Sequence, residues 1–311
     1  MKANTLTAKR RFRFRRYLPL FIMALPGLLY ILINNYLPMF GIVIAFKDVN
    51  FSKGILASPW AGLNNFKYLF RTKDAWVITR NTVLYNLVFI TLDVVVAVSF
   101  AIIMNEMRAR GLRKFYQTVL LLPYLISITV VSYLAYALLS TESGFLNNTV
   151  LPLFGKEAIS WYTDAKKWPV ILTVINLWKT VGYSCTVYYA AVVGIDPSLN
   201  EAASIDGGGI WQRIRYVTLP MLRPTIIMLT MLALGRMFYS DFGLFYQVPM
   251  NSGMLYSTTN TIDTYVYRAL IKLNDVGMAS AAGFYQSIVG FLLVVGANAL
   301  TRKIDRDSAL F

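Results

Sequence analysis

The chain contains no histidine and one cysteine, and only 14 % of its 311 residues carry charge. Without histidine there is no Ser-His-Asp or Cys-His nucleophile pair, and no zinc site built on imidazole. Cys185 lies inside an apolar stretch and has no second cysteine with which to form an intramolecular disulfide. No Gly-x-x-x-x-Gly-Lys-Ser/Thr pattern occurs, so the chain cannot cradle a nucleotide in that way. Acidic residues are also few, 15 against 30 Lys and Arg, a net charge of +15. What is abundant is apolar residue, 57 % of the chain. Soluble domains have roughly 45–50 % apolar and about 25 % charged residues. A mean hydropathy of +0.53 agrees, and most of the chain must be solvated by lipid.

A hydrocarbon core about 30 Å thick needs roughly 20 apolar residues in helical form. Six stretches qualify: 18–46, interrupted by Pro26 and Pro38, then 82–104, 115–139, 168–193, 225–248 and 280–300. The first is too long for a cleaved signal peptide and has no small-residue cleavage site after it. The expected class is therefore all-α, a polytopic membrane protein with six transmembrane helices. Its parts are a basic tail 1–17, a six-span domain 18–300 and a tail 301–311. The N-terminal tail (Lys2, Lys9, Arg10, Arg11, Arg13, Arg15, Arg16), the loops with Arg108, Arg110, Arg113, Lys114 and with Arg213, Arg215, Arg223, and the C-terminal Arg302, Lys303 and Arg306 hold seventeen basic residues on one side. The opposite loops hold eleven, and Lys179 and Arg236 fall within spans. Basic residues stay in the cytoplasm, so both termini are expected there. The N-terminal run then reads as a retention anchor touching anionic headgroups, with no call for nucleic acid.

The connection 194–224 is longer than a helical hairpin needs. Asp196 or Ser198 can cap a helix, Pro197 suits its first turn, and Glu201 stands three residues after Ser198 as a capping box. Ala202 and Ala203 keep that helix slim. Gly207, Gly208 and Gly209 supply positive φ angles to reverse the chain. A second short amphipathic segment, 210–217, follows, and Pro220 and Pro224 redirect the chain into the fifth span. One reading is an interfacial helix resting on headgroups, which Trp211 and Arg213 suit.

The other reading comes from a resemblance. Glu201-Ala202-Ala203, Gly207 after three intervening residues, and Val217-x-Leu219-Pro220 after nine more are similar to the EAA loop of binding-protein-dependent ABC importer permeases. Asp206-Gly207 matches that pattern's common pair; Val217 replaces its isoleucine, and Gly208 stands where sugar permeases often have alanine. The wider resemblance, about 80–302, is to six-span sugar permeases such as those for maltose and alginate. Pro26-Gly27, Tyr36-Leu37-Pro38 and the stretch Thr261 to Arg268 resemble permeases assigned to complex polysaccharides or aldouronate oligosaccharides. The resemblance implies a type I importer half without enzymatic activity of its own in a bacterial cytoplasmic membrane. It further implies a coupling helix on the cytoplasmic side and a pore shared with a second, homologous permease, usually a different chain. Two nucleotide-binding ATPase subunits would hold the ATP and magnesium, and an external solute-binding protein would deliver an oligosaccharide. Glu201 then faces basic groups on the ATPase, Ala202, Ala203 and Gly207 permit a close fit, and Leu219-Pro220 fixes the angle to span five.

Charges inside a bilayer mark a pathway or a pair. Asp93, Lys179, Arg236 and Asp241 fall at membrane depth and sum to zero, so salt bridges between helices are one expectation. On span four, Asn176, Lys179, Thr180, Tyr183 and Thr186 form one polar stripe; on span five, helical continuation puts Arg236, Tyr239, Ser240, Gly243, Tyr246 and Gln247 on one face. Span two adds Asn86 and Asp93. Such stripes face the protein interior or a pore. Tyr183, Tyr239, Phe242, Tyr246 and Gln247 suit a sugar's C–H faces and hydroxyls, although Tyr is frequent at membrane interfaces anyway. Lys179 and Arg236 suit a carboxylate, as on uronic-acid oligosaccharides. An ion-coupled secondary transporter with Asp93 and Arg236 as a relay, and a permease for a non-sugar solute, are the competing readings. A membrane enzyme would want paired catalytic acids or a metal cluster, and neither pattern is found.

Overall fold

A computed structural model describes residues 14–304. The basic run before Phe14 and the C-terminal tail beyond Ile304, including Arg306, lie outside the described residues. Among the described residues there is no strand, only an isolated bridge between Lys47 and Trp60.

Five helices are long and apolar enough to cross a membrane, and a bent pair makes a sixth span. Span one stays helical over 18–46, uninterrupted by its prolines. Its backbone widens into a π turn at Leu32–Tyr36, ahead of Pro38, and tightens to 3-10 geometry over Phe40–Phe46. A proline removes one hydrogen bond and crowds the preceding turn, and a widened turn relieves that crowding. From Leu18 to Phe40 every residue of this helix is exposed. Span two, Asp74–Glu106, runs longer than expected at both ends, and span four, Trp168–Val193, has the expected limits. Span six is Val276–Ile304.

Two spans differ from the expectation of single helices. Span three is Arg110–Leu125 followed by Ile128–Leu139, bent by 95°. The Ser127 hydroxyl caps the second half by accepting the Val130 N–H. Span five starts earlier than 225 and stops before 248: the chain is helical from Ile210 to Leu234. The separate segment 210–217 and the proline redirection are therefore absent. A π turn at Ile214–Thr218, closed by the Leu219 N–H on the Ile214 carbonyl, absorbs Pro220 without a change of direction. Past Leu234 the chain leaves the helix over 235–241, and a new short helix, Phe242–Gln247, starts where the Asp241 carboxylate caps the Leu244 N–H at 3.0 Å.

Spans two and four form the centre of the bundle. Ala97, Val98, Ala101 and Ile102 pack against Val181, Cys185, Tyr188 and Val192, with Leu222 of span five closing the cluster. Small residues matter because helices in lipid associate by close van der Waals contact, with no hydrophobic drive between them. At Gly182 the approach is closest, since a Cβ there would stand 1.8 Å from the Leu120 carbonyl oxygen of span three.

Candidate functional site: a central cavity and an exposed hairpin

Near the middle of spans two and four a cavity of about 470 Å³ opens. Span two contributes Asn86, Phe89, Ile90, Asp93 and Val94, which follow i, i+3, i+4, i+7 and i+8 along one face. Span four contributes Asn176, Thr180, Tyr183, Ser184, Val187 and Tyr188. Its cavity face is thus rotated from the expected stripe, so that Lys179 and Thr186 do not line it. Arg236 and Tyr239 come from the non-helical stretch of span five, and Tyr124 from the end of the first half of span three. Tyr124 stacks on Tyr183 at 4.8 Å with planes 15° apart, so one face of Tyr183 is already covered.

The four intramembrane charges do not pair with one another. Asp93 accepts the Thr180 hydroxyl at 3.0 Å. Lys179 donates its ammonium to the carbonyls of Ile126 at 2.6 Å and Tyr124 at 3.3 Å. These are carbonyls that the break in span three frees from helical bonding. Asp241 is spent on its helix cap. Arg236 is exposed to the cavity and has no ion pair; among the described residues the ion pairs are Lys167 with Asp164 and Arg213 with Glu106. A salt-bridged interior was a reasonable expectation from charge balance, but broken helices supply competing acceptors at the same depth.

The break in span five also splits the stripe expected there. Arg236 and Tyr239 reach the cavity. Gly243 is buried, and a Cβ there would stand 2.6 Å from the Ile128 side chain, which would have to shift. Phe242 stacks on Tyr246 at 4.9 Å, and both pack against Tyr267. Arg268 lies 5.7 Å from the Tyr246 ring and 4.0 Å from that of Tyr256. Gln247 accepts the Thr129 hydroxyl at 2.9 Å. Phe242, Tyr246 and Gln247 therefore belong to a separate aromatic and polar cap, outside the cavity lining. Composition gave no hint of Tyr124, Ser184 or Tyr188 as lining residues, although Ser184 and Tyr188 continue the span-four face at helical spacing.

At the other end of spans two and four a hairpin projects. Asp196, not Ser198, caps its helix Pro197–Ile205, accepting the Ser198 N–H at 2.9 Å. Glu201 makes no capping box. Gly207, at φ +82°, and the Gly208 N–H on the Ala203 carbonyl at 2.9 Å end the helix and reverse the chain. Gln212 then accepts the Gly209 N–H at 2.7 Å and starts the helix that becomes span five. Glu201, Ala202, Asp206 and Gly207 are exposed, Ala203 is half-buried, and Leu219 and Pro220 are exposed on the next helix. Arg213 ties the hairpin down, reaching Ser204 at 3.5 Å and Glu106, at the end of span two, at 3.4 Å.

A bundle of broken and continuous spans around a polar cavity, with an exposed helical hairpin rooted in the same helices, defines a membrane permease. Residues 80–306 match the model of the family described as the binding-protein-dependent transport system inner membrane component, and the chain belongs to that family. It is 32 % identical over 293 residues to the polygalacturonan/rhamnogalacturonan transport system permease protein YteP of Bacillus subtilis (strain 168), covering 93 % of this chain and 89 % of that one. A chain in the crystal structure of a bacterial ABC transporter involved in the import of the acidic polysaccharide alginate superposes with a TM-score of 0.86. Identity is 31 %, over 94 % of this chain and 98 % of the other. A chain of the bacterial alginate ABC transporter in complex with alginate pentasaccharide-bound periplasmic protein gives a TM-score of 0.85 at 30 % identity, with 94 % and 96 % covered.

Proposed function

We propose that this chain forms one half of the translocation pathway of an ABC importer for acidic oligosaccharides. The observation that carries the reading is the guanidinium of Arg236, without an ion pair in a cavity whose other polar lining is the Asp93 carboxylate, amides, hydroxyls and tyrosine rings set among apolar side chains such as Phe89, Ile90 and Leu229. Arg236 makes no direct ion pair with Asp93 on the facing span, and a carboxylate on the cargo can engage its planar fork at membrane depth, where a cation without a partner is costly. Asn86, Asn176, Thr180 and Ser184 offer hydrogen bonds to hydroxyls, and Tyr183 and Tyr239 offer rings to sugar C–H faces. Asp93, already held by Thr180, disfavours a second cargo carboxylate near span two and so orients the chain of sugars. The similarity to a transporter that imports the acidic polysaccharide alginate, and to a permease for polygalacturonan and rhamnogalacturonan, supports the same class.

In this reading the hairpin and both termini face the cytoplasm of a bacterium. Two ATPase subunits bind the nucleotide and magnesium, and one of them seats the helix Pro197–Ile205, with Glu201, Ala202, Ala203, Asp206 and Gly207 at the contact. A second, homologous permease completes the pore, and span one, exposed over its first 23 residues, offers an apolar helix to it and to lipid. A solute-binding protein delivers cargo at the opposite face. An ion-coupled transporter would leave the exposed hairpin without a task.

The test is ATP-dependent uptake by the complete importer in proteoliposomes. Arg236→Gln should lower uptake of a uronic oligosaccharide at least tenfold, and should affect its carboxyl-reduced counterpart far less. Equal uptake of the acidic cargo by both proteins would refute the acidic-cargo reading.

A further inference from the structure

The stretch 235–241 lies outside any helix; local backbone bonds serve the N–H groups of Gly235, Arg236, Met237 and Tyr239, while the Phe238 carbonyl and the Ser240 N–H take partners from elsewhere in the protein. Two side chains provide them. Gln286 of span six, 5 % exposed, donates one N–H to the Phe238 carbonyl at 2.6 Å and the other to Asp263 Oδ1 at 3.0 Å. Asp263, in the helix Ile262–Ile271, accepts the Ser240 N–H on Oδ2 at 2.6 Å. The Phe238 carbonyl belongs to the peptide unit before Tyr239, and the Ser240 N–H belongs to the unit after it. Both peptide planes flanking Tyr239 are thus pinned through one linked pair of side chains. Phe238 is itself 3 % exposed and packs with Ile262 and Ala282, so its side chain points away from the cavity that Tyr239 lines. The Tyr239 N–H in turn donates to the Arg236 carbonyl at 2.9 Å, which carries the constraint to Arg236.

We propose that Asp263 and Gln286 are positioning residues for cargo: they fix the backbone on both sides of Tyr239 and so hold Tyr239 and Arg236 in the cavity. They touch no cargo themselves. The pathway's preference for acidic over neutral oligosaccharide depends on this clamp, a claim that rests on the acidic-cargo reading above. Gln286 matters for its two donors; leucine, of similar size, keeps the packing and removes both.

The complete importer, reconstituted with its ATPase and binding protein, provides the test. Gln286→Leu should raise the KM for a uronic oligosaccharide about tenfold, leave the maximal ATPase rate within about twofold, and erode the preference over the carboxyl-reduced cargo. A second measurement needs no cargo. In a Cys185→Ser background, Tyr239→Cys is labelled with a charged thiol reagent, and adding Gln286→Leu should change the labelling rate several-fold. Unchanged KM and unchanged labelling with Gln286→Leu overturn the clamp. The cargo reading fails separately, when Arg236→Gln leaves acidic uptake intact while labelling still responds to Gln286→Leu.

Discussion

The ammonium of Lys179 lies 2.6 Å from the carbonyl oxygen of Ile126, at the point where span three bends by 95°. A cation on span four thereby takes the place of the helical N–H groups that the break removes. Its contact with Tyr124 adds a second carbonyl, so the charge is used twice within one turn of the break. Lys179 holds the wall of the cavity, while Arg236 faces its interior.

Replacing Lys179 by methionine keeps the length of the side chain and removes both donors. Hydrogen bonds to charged groups contribute about 1.5–3 kcal/mol each, and less where the membrane-embedded reference state finds other partners. Lys179→Met should therefore destabilise the chain by about 2–3 kcal/mol, read as a lower Tm of the detergent-solubilised importer. A Tm equal to the parent's would show that the break supports itself.

Gly182 admits the backbone of span three, and its substitution has a steep expected cost. A Cβ 1.8 Å from a carbonyl oxygen cannot be relieved by a rotamer change, because the neighbour is backbone. Gly182→Ala should separate spans three and four and reduce the yield of assembled importer severely, while Gly283→Ala, with open space around its Cβ, should leave it intact. Fluorescence-detected gel filtration distinguishes the two.

The cap of the hairpin helix gives a pH dependence. The Ser198 N–H, and to a smaller extent its hydroxyl, hold the Asp196 carboxyl below its usual range. A depressed folded-state pKa adds stability above the unfolded value of about 3.9, and that stability is lost as pH falls through the folded value. Amide exchange of residues 198–201, corrected for intrinsic rates, should lose protection below about pH 4. Asp196→Asn, a cap without a titrating group, should keep it.

Spans two, four and six were legible because uninterrupted apolar runs with few charges leave little choice of structure, and Trp168–Val193 has the expected limits. The two breaks were hidden for opposite reasons. In span three the apolar pattern continues through Ile126, and the bend is marked only by local signals, Pro123 in the last turn of the first half and the capping capacity of Ser127. In span five the prolines at 220 and 224 drew attention to a bend that a π turn makes unnecessary, while Gly235 and the Asp241 cap, where the helix does end, read as interior. Half of the expected pathway depended on that helix continuing. Asn86, Asp93, Asn176, Tyr183, Arg236 and Tyr239 share one cavity, whereas Phe242, Tyr246 and Gln247 were carried elsewhere by the break. In the hairpin the Asp196 cap and the Gly207 reversal were legible because they act through local backbone geometry, which short sequence patterns encode directly, whereas the Glu201 capping box, positive φ at Gly208 and Gly209, and a separate segment 210–217 did not form.

The proposed importer works mechanically, with an ATPase subunit gripping the hairpin between Asp196 and Gly207. The direct measurement is site-specific cross-linking of the intact importer in membranes, with a cysteine placed by Ala203→Cys in a Cys185→Ser background. A nucleotide-binding subunit should be captured through Ala203→Cys, with a yield that changes between the ATP-bound and nucleotide-free states. Capture of lipid alone, or of no ATPase in either state, would contradict the account.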